Sequence, residues 1–318
     1  MVLGSFILLS LGSIFYIYAA THKPSTPILP APPLKSPIKT EFAIESTISI
    51  ESIDIPETLA IYTLSPEPLS ATQMANIARK LEFSSQPLQL EDANYGTVYY
   101  WQQSAKSLRI LPKNWLLDYQ FPTDETVGGS FPDDETILQV AQLFLETTFL
   151  PEGSAVKYKA HNFVRLTPES EIIVPKTEAD FVDVKFVEVV SGYPVVNETA
   201  QIGTIDIKMA KDKTILSAYL DALPKTLTQK NVKIKSFAEL VASLANSKLM
   251  SLGEGIDLKS YSAKNIENVV VDRAKIAYYK AATQDSLLLQ PIFVLEGSAQ
   301  MADGNKTSAL LYLPAVKD

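Results

Sequence analysis

The chain contains no cysteine and little arginine or histidine. Without cysteine there is no disulfide framework, no thiol nucleophile and no thiolate metal site. Only four of the 28 basic residues are arginines, against 36 acidic residues, and the formal net charge is −8. An acidic, arginine-poor chain repels phosphate backbones, so we expect no nucleic-acid partner.

The sequence also lacks a recognisable catalytic constellation. Its two histidines, His22 and His161, have no cysteine or second histidine nearby that would complete a metal site or a triad. The motifs of phosphate-binding loops, serine nucleophile elbows and histidine–glutamate zinc sites are missing as well. We therefore expect no enzymatic activity, with no catalytic, cofactor-binding or metal-binding residue and no cofactor.

Two related stretches, FPTDET from Phe121 and FPDDET from Phe131, gather carboxylates within a short segment. Their spacing lacks the alternating oxygen ligands of a calcium loop. Acidic residues are expected at a helix start, where they cap backbone N–H groups and complement the helix dipole. We interpret the second stretch as the start of a helix, with Asp133 or Asp134 as its N-cap.

Residues 2–20 include no charged side chain, whereas charged side chains occur throughout the rest of the chain. As a helix they would span roughly 28 Å, enough to cross the hydrocarbon core of a bilayer. We predict a transmembrane helix over residues 1–20. A cleaved signal peptide is the alternative, but a cut after Ala19 or Ala20 would put a large residue, Ile17 or Tyr18, at the −3 position, where small residues are preferred.

Small residues recur every seventh position within this segment, at Ser5, Gly12 and Ala19. Such a stripe allows close approach of a second helix in lipid, so these three residues are our candidate partner-helix face. The alternative is that glycine and serine are simply common in membrane helices.

Residues 21–40 contain six prolines and three lysines, the pattern of a semi-rigid extended spacer. The lysines after the helix would favour a cytosolic body by the positive-inside rule, whereas long C-terminal domains translocate largely regardless of charge. The missing basic flank before the helix suggests that translation starts upstream of Met1. We predict a single-pass protein of the cell membrane with an extracytoplasmic body, residues 41–318.

The body shows three amphipathic helices, each followed by alternating, strand-like segments. Ser70 with Gln73 and Ser236 with Glu239 form capping-box patterns, and the third helix follows Phe131. Because each helix has one apolar face, each must pack on a sheet. We predict an α+β fold of repeated units, one helix on an antiparallel β meander, preceded by a single N-terminal transmembrane helix, with units over residues 41–130, 131–230 and 231–318.

A short motif occurs twice, as YYWQQSAKSLRILP from Tyr99 and YYKAATQDSLLLQP from Tyr278. Both copies share Tyr-Tyr, Ser-Leu and a final proline, and both follow a serine-capped helix. The shared context predicts an internal duplication in which Tyr99 and Tyr278 occupy equivalent strands and Leu108 corresponds to Leu287.

The layout of anchor, spacer and helix-plus-meander units, with segments 97–112 and 276–316 and their PIFVLEG and LYLPAV strands, resembles the YycH/YycI family. That resemblance implies PepSY-like repeat units and a regulatory role towards a membrane partner such as a sensor histidine kinase or a paralogue. It transfers no functional residue to this chain.

Two functions remain open. The first is a non-enzymatic, membrane-anchored extracytoplasmic protein that regulates a membrane signalling partner by contact. The alternative is a cell-envelope binding module that holds a peptide, glycan or lipid ligand between its lobes. A pocket with apolar walls and a few convergent polar groups would favour the second.

Overall fold

A computed structural model describes residues 42–64, 67–93, 95–121, 128–150, 155–197, 205–223, 226–253, 265–280 and 288–317. These residues belong to one unit. The predicted transmembrane helix and the spacer lie outside them. Among the described residues, no helix is long and apolar enough to cross a membrane.

Strands dominate the described residues. In chain order they are β1 (Ala43–Ser46), β2 (Thr58–Leu64), β3 (Leu88–Asp92), β4 (Gly96–Gln103), β5 (Lys106–Leu111), β6 (Leu116–Gln120), β7 (Ala155–Leu166), β8 (Glu171–Ile173), β9 (Phe181–Val190), β10 (Tyr193–Val196), β11 (Ile205–Ala210), β12 (Ile215–Asp221), β13 (Thr226–Lys233), β14 (Lys248–Leu252), β15 (Ile266–Lys280), β16 (Leu288–Met301) and β17 (Lys306–Pro314). The α-helices are α1 (Ala71–Lys80), α2 (Asp134–Thr148) and α3 (Phe237–Ala242), and short 3₁₀ turns occupy Ile50–Ser52, Pro112–Asn114, Lys176–Glu178 and Leu244–Asn246.

The strands form two mainly antiparallel regions that are joined by β10. In the first sheet the order is β3-β4-β5-β6-β12-β11-β9-β7-β8. In the second sheet, β15, β16, β17 and β14 are neighbours, β1 runs parallel to β15, and β2 pairs with both β13 and β16. Strand β10 is antiparallel to β9 and parallel to β15, so the whole forms one mixed sheet.

Each helix packs its apolar stripe on one face of a sheet. Met74 and Ile77 of α1 and Ile137 and Leu145 of α2 share a core with the first sheet. Leu240 of α3 belongs to the core of the second sheet. Burial of each such side chain contributes about 1.5–3 kcal/mol. The opposite face of the first sheet carries neither α1 nor α2.

The predicted fold class is wrong. The chain is mostly β and forms one large mixed sheet, not a series of helix-on-meander repeats. Strand β2 pairs with β13 and β16, which lie far along the chain, and β10 pairs with β15. The physical reason is length: β15 and β16 have 15 and 14 residues and pair with each other along nearly their whole length. The second edge of each is long enough for two further strands, β1 and β10 on β15 and β17 and β2 on β16.

The predicted duplication is also wrong, because the strand orders differ. After α1 the first strand, β3, pairs with the second, β4, whereas after α3 the first strand, β14, pairs with the last, β17. Tyr99 lies opposite Ile110, but Tyr278 lies opposite Pro291, the counterpart of Pro112. Residue Leu287 lies outside the described residues. The two motifs thus share a hairpin, and no larger unit.

The predicted helix starts are confirmed. Ser70 and Ser236 each form a full capping box, with Gln73 and Glu239 respectively. Asp133 caps α2, its carboxylate accepting a hydrogen bond of 2.7 Å from the backbone N–H of Thr136. These signals are local in sequence, so local reasoning finds them.

Candidate functional site

The face of the first sheet that points away from α1 and α2 is polar. Leu117, Ile207 and Ala218 point into the helix-covered core, so their neighbours along each strand point the other way. Two rows of directly opposed residues cross β5, β6, β12, β11 and β9 on this face. The rows are Arg109, Asp118, Tyr219, Asp206 and Lys185, and Ser107, Gln120, Ser217, Lys208 and Asp183.

A cleft of about 470 Å³ lies over these rows. We call it the open-face cleft, and it is lined by Asp118, Gln120, Phe121, Leu166, Glu171, Phe181, Asp206, Lys208, Leu216, Ser217 and Tyr219. Polar groups of the strands thus stand beside aromatic and aliphatic side chains. A volume of 300–1,000 Å³ with this mixture is typical of ligand-binding clefts.

Every charged side chain that lines the cleft is held in an ion pair. Arg109 lies 2.9 Å from Asp118, Lys208 lies 2.5 Å from Glu171, and Lys185 lies 3.0 Å from Asp206. Lys208 also lies 5.0 Å from the ring centre of Phe181. These pairs hold the polar side chains in place and leave the surface nearly neutral. The surface therefore presents oriented hydrogen-bonding groups and only a weak electrostatic potential.

Tyr219 is the exposed aromatic residue in the centre of the two rows, with 38% of its surface accessible. Partial burial of its hydroxyl raises its pKa above the ordinary value, helped by the nearby carboxylates of Asp221 and Asp118 and opposed by Arg109. The hydroxyl therefore stays protonated at neutral pH and can donate a hydrogen bond while the ring offers an apolar surface.

Asp183 and Asp206 lie at the edge of the cleft floor with Lys185 between them; we call the two acids the aspartate pair. Lys185 Nζ is 3.0 Å from Oδ2 of each. Burial raises the pKa of Asp183 well above its usual range, and the neighbouring carboxyl group of Asp206 adds to this, while Lys185 opposes it. Attraction to both acids raises the pKa of Lys185 against the effect of burial.

A second polar cluster lies where the two sheets meet at β10. Lys280 Nζ lies 2.5 Å from Asp221 Oδ1 and donates to the carbonyl of Ala222 at 2.7 Å. Asn197 donates to the other Asp221 oxygen at 3.1 Å, and its own carbonyl accepts a hydrogen bond of 3.2 Å from the Tyr312 hydroxyl. The cluster ties β12 of the first sheet to β15 and β17 of the second.

Glu188 of β9 is buried beside this cluster, with 2% of its surface exposed. Burial raises its pKa to about 7; Lys280 and the backbone N–H of Leu223 oppose that shift, and Asp221 adds to it. Glu188 follows Val184 and Phe186 on the apolar face of its strand, so its position in the alternation was visible in the sequence. A buried acid at such a position marks a polar junction.

The residues predicted as functional are not tested by this site. The candidate partner-helix face Ser5, Gly12 and Ala19 and the histidine His22 lie outside the described residues. His161 is half-buried, with Nδ1 2.8 Å from the Tyr158 hydroxyl and Nε2 3.7 Å from Asp134. In the described part of the chain, no group of three or more acidic or histidine residues could hold a metal ion.

Sequence reasoning missed the cleft and the aspartate pair. One signal was present: in FVDVKFV, from Phe181, the charges of Asp183 and Lys185 alternate with valine and phenylalanine. This pattern places both charges on one face of a strand. It does not identify Asp206 as their partner, because that contact depends on which strand lies beside β9.

The comparisons with known proteins identify no relative. No protein-family model, no curated protein and no solved structure matches this chain. The cleft and the sequence are therefore the features that bear on function.

Proposed function

We propose that this chain is a membrane-anchored, extracytoplasmic binding protein that acts by contact and not by catalysis. Residues 2–20 supply the anchor, the proline-rich spacer sets the body away from the bilayer, and the open-face cleft receives the partner. The regulatory role and a partner such as a sensor histidine kinase, implied by the resemblance to the YycH/YycI family, are part of this proposal.

The observation that supports it best is the charge balance of the cleft. Each lining charge already has a partner of opposite sign, so the surface is nearly neutral and its side chains are held in place. Ion pairs in fixed geometry position neighbouring hydrogen-bonding groups such as Gln120 and Ser217. A surface prepared in this way lowers the ordering cost of binding.

The composition of the cleft favours a polar, nearly neutral ligand with apolar portions. Tyr219, Phe121 and Leu166 supply apolar contact area, and the two rows supply donors and acceptors. An extended segment of a membrane protein has both properties, since its backbone is polar and its side chains alternate. We therefore favour a segment of a membrane partner as the occupant.

Site-specific photo-crosslinking in membranes tests this proposal. A photoreactive residue replaces Ser217, in the cleft, and in a matched control it replaces Gln142, exposed on α2 on the opposite side of the first sheet. We expect one crosslinked membrane protein from position 217 and none from position 142. Tyr219→Ala in the position-217 chain should reduce the yield several-fold, because the exposed ring is lost.

Equal yields at the two positions, or no crosslink at position 217, would refute the proposal. The alternative of a small envelope ligand is favoured by the cleft volume, which lies in the range of ligand pockets. Native mass spectrometry of the purified full-length chain separates the two. A small-molecule adduct that is present in the wild type and lost in Ser217→Arg, without a protein crosslink, would establish the alternative.

A further inference from the structure

The aspartate pair has an arrangement that ion pairing alone does not explain. In the ladder between β9 and β11, Asp206 lies opposite Lys185 and Asp183 lies opposite Lys208, so the two aspartates are diagonal neighbours on one face. Lys185 binds the Oδ2 atom of each at 3.0 Å. One lysine therefore serves two carboxyl groups.

The second oxygen of each carboxyl group, Oδ1, is not satisfied by Lys185. Oδ1 of Asp183 and Oδ1 of Asp206 are both closed to solvent, and neither has a hydrogen-bond donor among the described residues. Leaving a buried polar atom unpaired is unfavourable, and more so when it is charged. Yet both side chains reach the same nitrogen, since Lys185 Nζ lies 3.0 Å from one oxygen of each.

Two ionised carboxylates cannot hydrogen-bond to each other, because each only accepts. If one of them carries a proton, it becomes a potential hydrogen-bond donor to its diagonal neighbour, and the pair no longer buries two like charges. Two carboxyl groups at close range also retain a proton because ionising both would bring two negative charges together.

We propose that Asp183 and Asp206 share a single proton at neutral pH, which makes the floor of the open-face cleft a proton-binding site. With the proton bound, one acid, one carboxylate and Lys185 sum to zero charge. Without it, the group carries one net negative charge, and the two carboxylates repel each other. Release of the proton should therefore loosen the contact between β9 and β11 at the edge of the cleft.

The charges around the pair leave this proton in place. The ionisable groups that face it from neighbouring elements are Tyr219, which lies opposite Asp206, Lys208, held by Glu171, Asp118, held by Arg109, and Lys159. Burial lowers the pKa of Lys159, and repulsion from Lys185 and Lys275 lowers it further, with Glu296 opposing. Asn162 of β7 lies opposite Asp183 and is uncharged. His161 lies opposite Val184, whose side chain points to the other face of the sheet, so His161 does not face the pair.

Infrared spectroscopy of the full-length chain tests the proposal, because a protonated carboxyl group has its own C=O stretching band. Glu188 also titrates near neutral pH, so every measurement is made in a Glu188→Gln background. Spectra are compared at about pH 6 and about pH 9, on either side of the expected proton loss. We expect one protonated-carboxyl band at the lower pH that disappears at the higher pH.

Asp183→Asn and Asp206→Asn should each abolish this band, since an asparagine amide can donate the hydrogen that the proton supplied. Asp118→Asn is the matched control: it removes an acid of the same cleft that is paired with Arg109, and it should leave the band unchanged. Far-UV circular dichroism checks that each variant is folded.

The first result to consider is the spectrum of the Glu188→Gln chain, in which Asp183 and Asp206 are both intact. Absence of the band at about pH 6 overturns the proposal, because both aspartates are then ionised. Persistence of the band in Asp183→Asn or in Asp206→Asn also overturns it. In the first case the proton sits on another acid; in the second it belongs to Asp183 alone and is not shared.

Discussion

At the scale of single residues, Gly297 shows how closely the strands of the second sheet approach. It lies on β16 between Val271 of β15 and Ala309 of β17. A methyl group at this position would collide with the carbonyl oxygen of Val270 and would lie 2.8 Å from Val271 Cα. The clash is with backbone, so no side-chain rotation relieves it.

We expect Gly297→Ala to lower the free energy of unfolding by about 3 kcal/mol or more, because the β15–β16 ladder must shift. Urea unfolding of the full-length chain, followed by tryptophan fluorescence, measures the change. Gly128→Ala is the control, since an added methyl group there meets nothing within 4 Å. Equal midpoints for the two variants would contradict the predicted clash.

Glu188 provides a second prediction at this scale. Its pKa is raised by burial to about 7 in the folded chain, so the folded state holds a proton that the unfolded chain releases at lower pH. Stability from this group is therefore complete at acidic pH and falls as the pH rises towards 7. Above that pH the ionised, buried carboxylate destabilises the fold.

Glu188→Gln should remove this penalty. We expect the variant to gain stability relative to the wild type on the order of 2 kcal/mol at about pH 8, and little at about pH 5. Urea unfolding of both chains at the two pH values measures the difference. If the difference is the same at both, Glu188 does not titrate in this range in the folded chain.

At the scale of elements, the serine caps fix where two of the helices begin. The Ser70 hydroxyl accepts a hydrogen bond from the backbone N–H of Gln73, and Gln73 Oε1 accepts one from the backbone N–H of Ser70. Ser70→Ala should cost about 1 kcal/mol of stability, because the first turn of α1 then loses its partner. Ser70→Asn, which keeps a capping oxygen, should cost much less; thermal unfolding distinguishes the two, and equal losses would show that packing alone sets the start of α1.

Strand β10 is the element that sequence analysis could not interpret. It is four residues long and pairs antiparallel with β9 and parallel with β15. Its alternation resembles that of any short strand, and nothing in it identifies two partners. The polar cluster of Lys280 and Asp221 forms only because this strand brings the two sheets together.

At the scale of the whole molecule, the predicted orientation can be tested directly. Alkaline phosphatase folds into an active enzyme only outside the cytoplasm, so a C-terminal fusion after Asp318 should be active. A cytosolic reporter at the same position should be inactive. The reverse result would place the body in the cytosol and would remove the extracytoplasmic part of the proposed function.

The candidate partner-helix face makes a separate prediction. Gly12→Leu should weaken association with the membrane partner, because a bulky side chain separates helices that pack closely in lipid. Insertion should be unchanged, since leucine is at least as apolar as glycine. The measurement is the yield of the crosslink from position 217 at equal expression, with Leu9→Ile as a volume-conserving control; an unchanged yield would limit the interface to the body.

The sequence by itself determined the features that depend on near neighbours. Ser70, Asp133 and Ser236 start helices because a cap and its partner lie three residues apart. Strand alternation told which residues of β9 share a face, and composition excluded cysteine chemistry. Each of these is a matter of spacing along one short segment.

Only the tertiary structure decided which segments meet. The Tyr99 and Tyr278 motifs look alike, yet they enter sheets of different order, because the free energy of strand pairing comes from partners far along the chain. The open-face cleft needs β6, β11 and β12 side by side, and the aspartate pair needs Asp206 placed diagonally to Asp183. Those contacts depend on register between distant strands, which no local pattern in this sequence specifies.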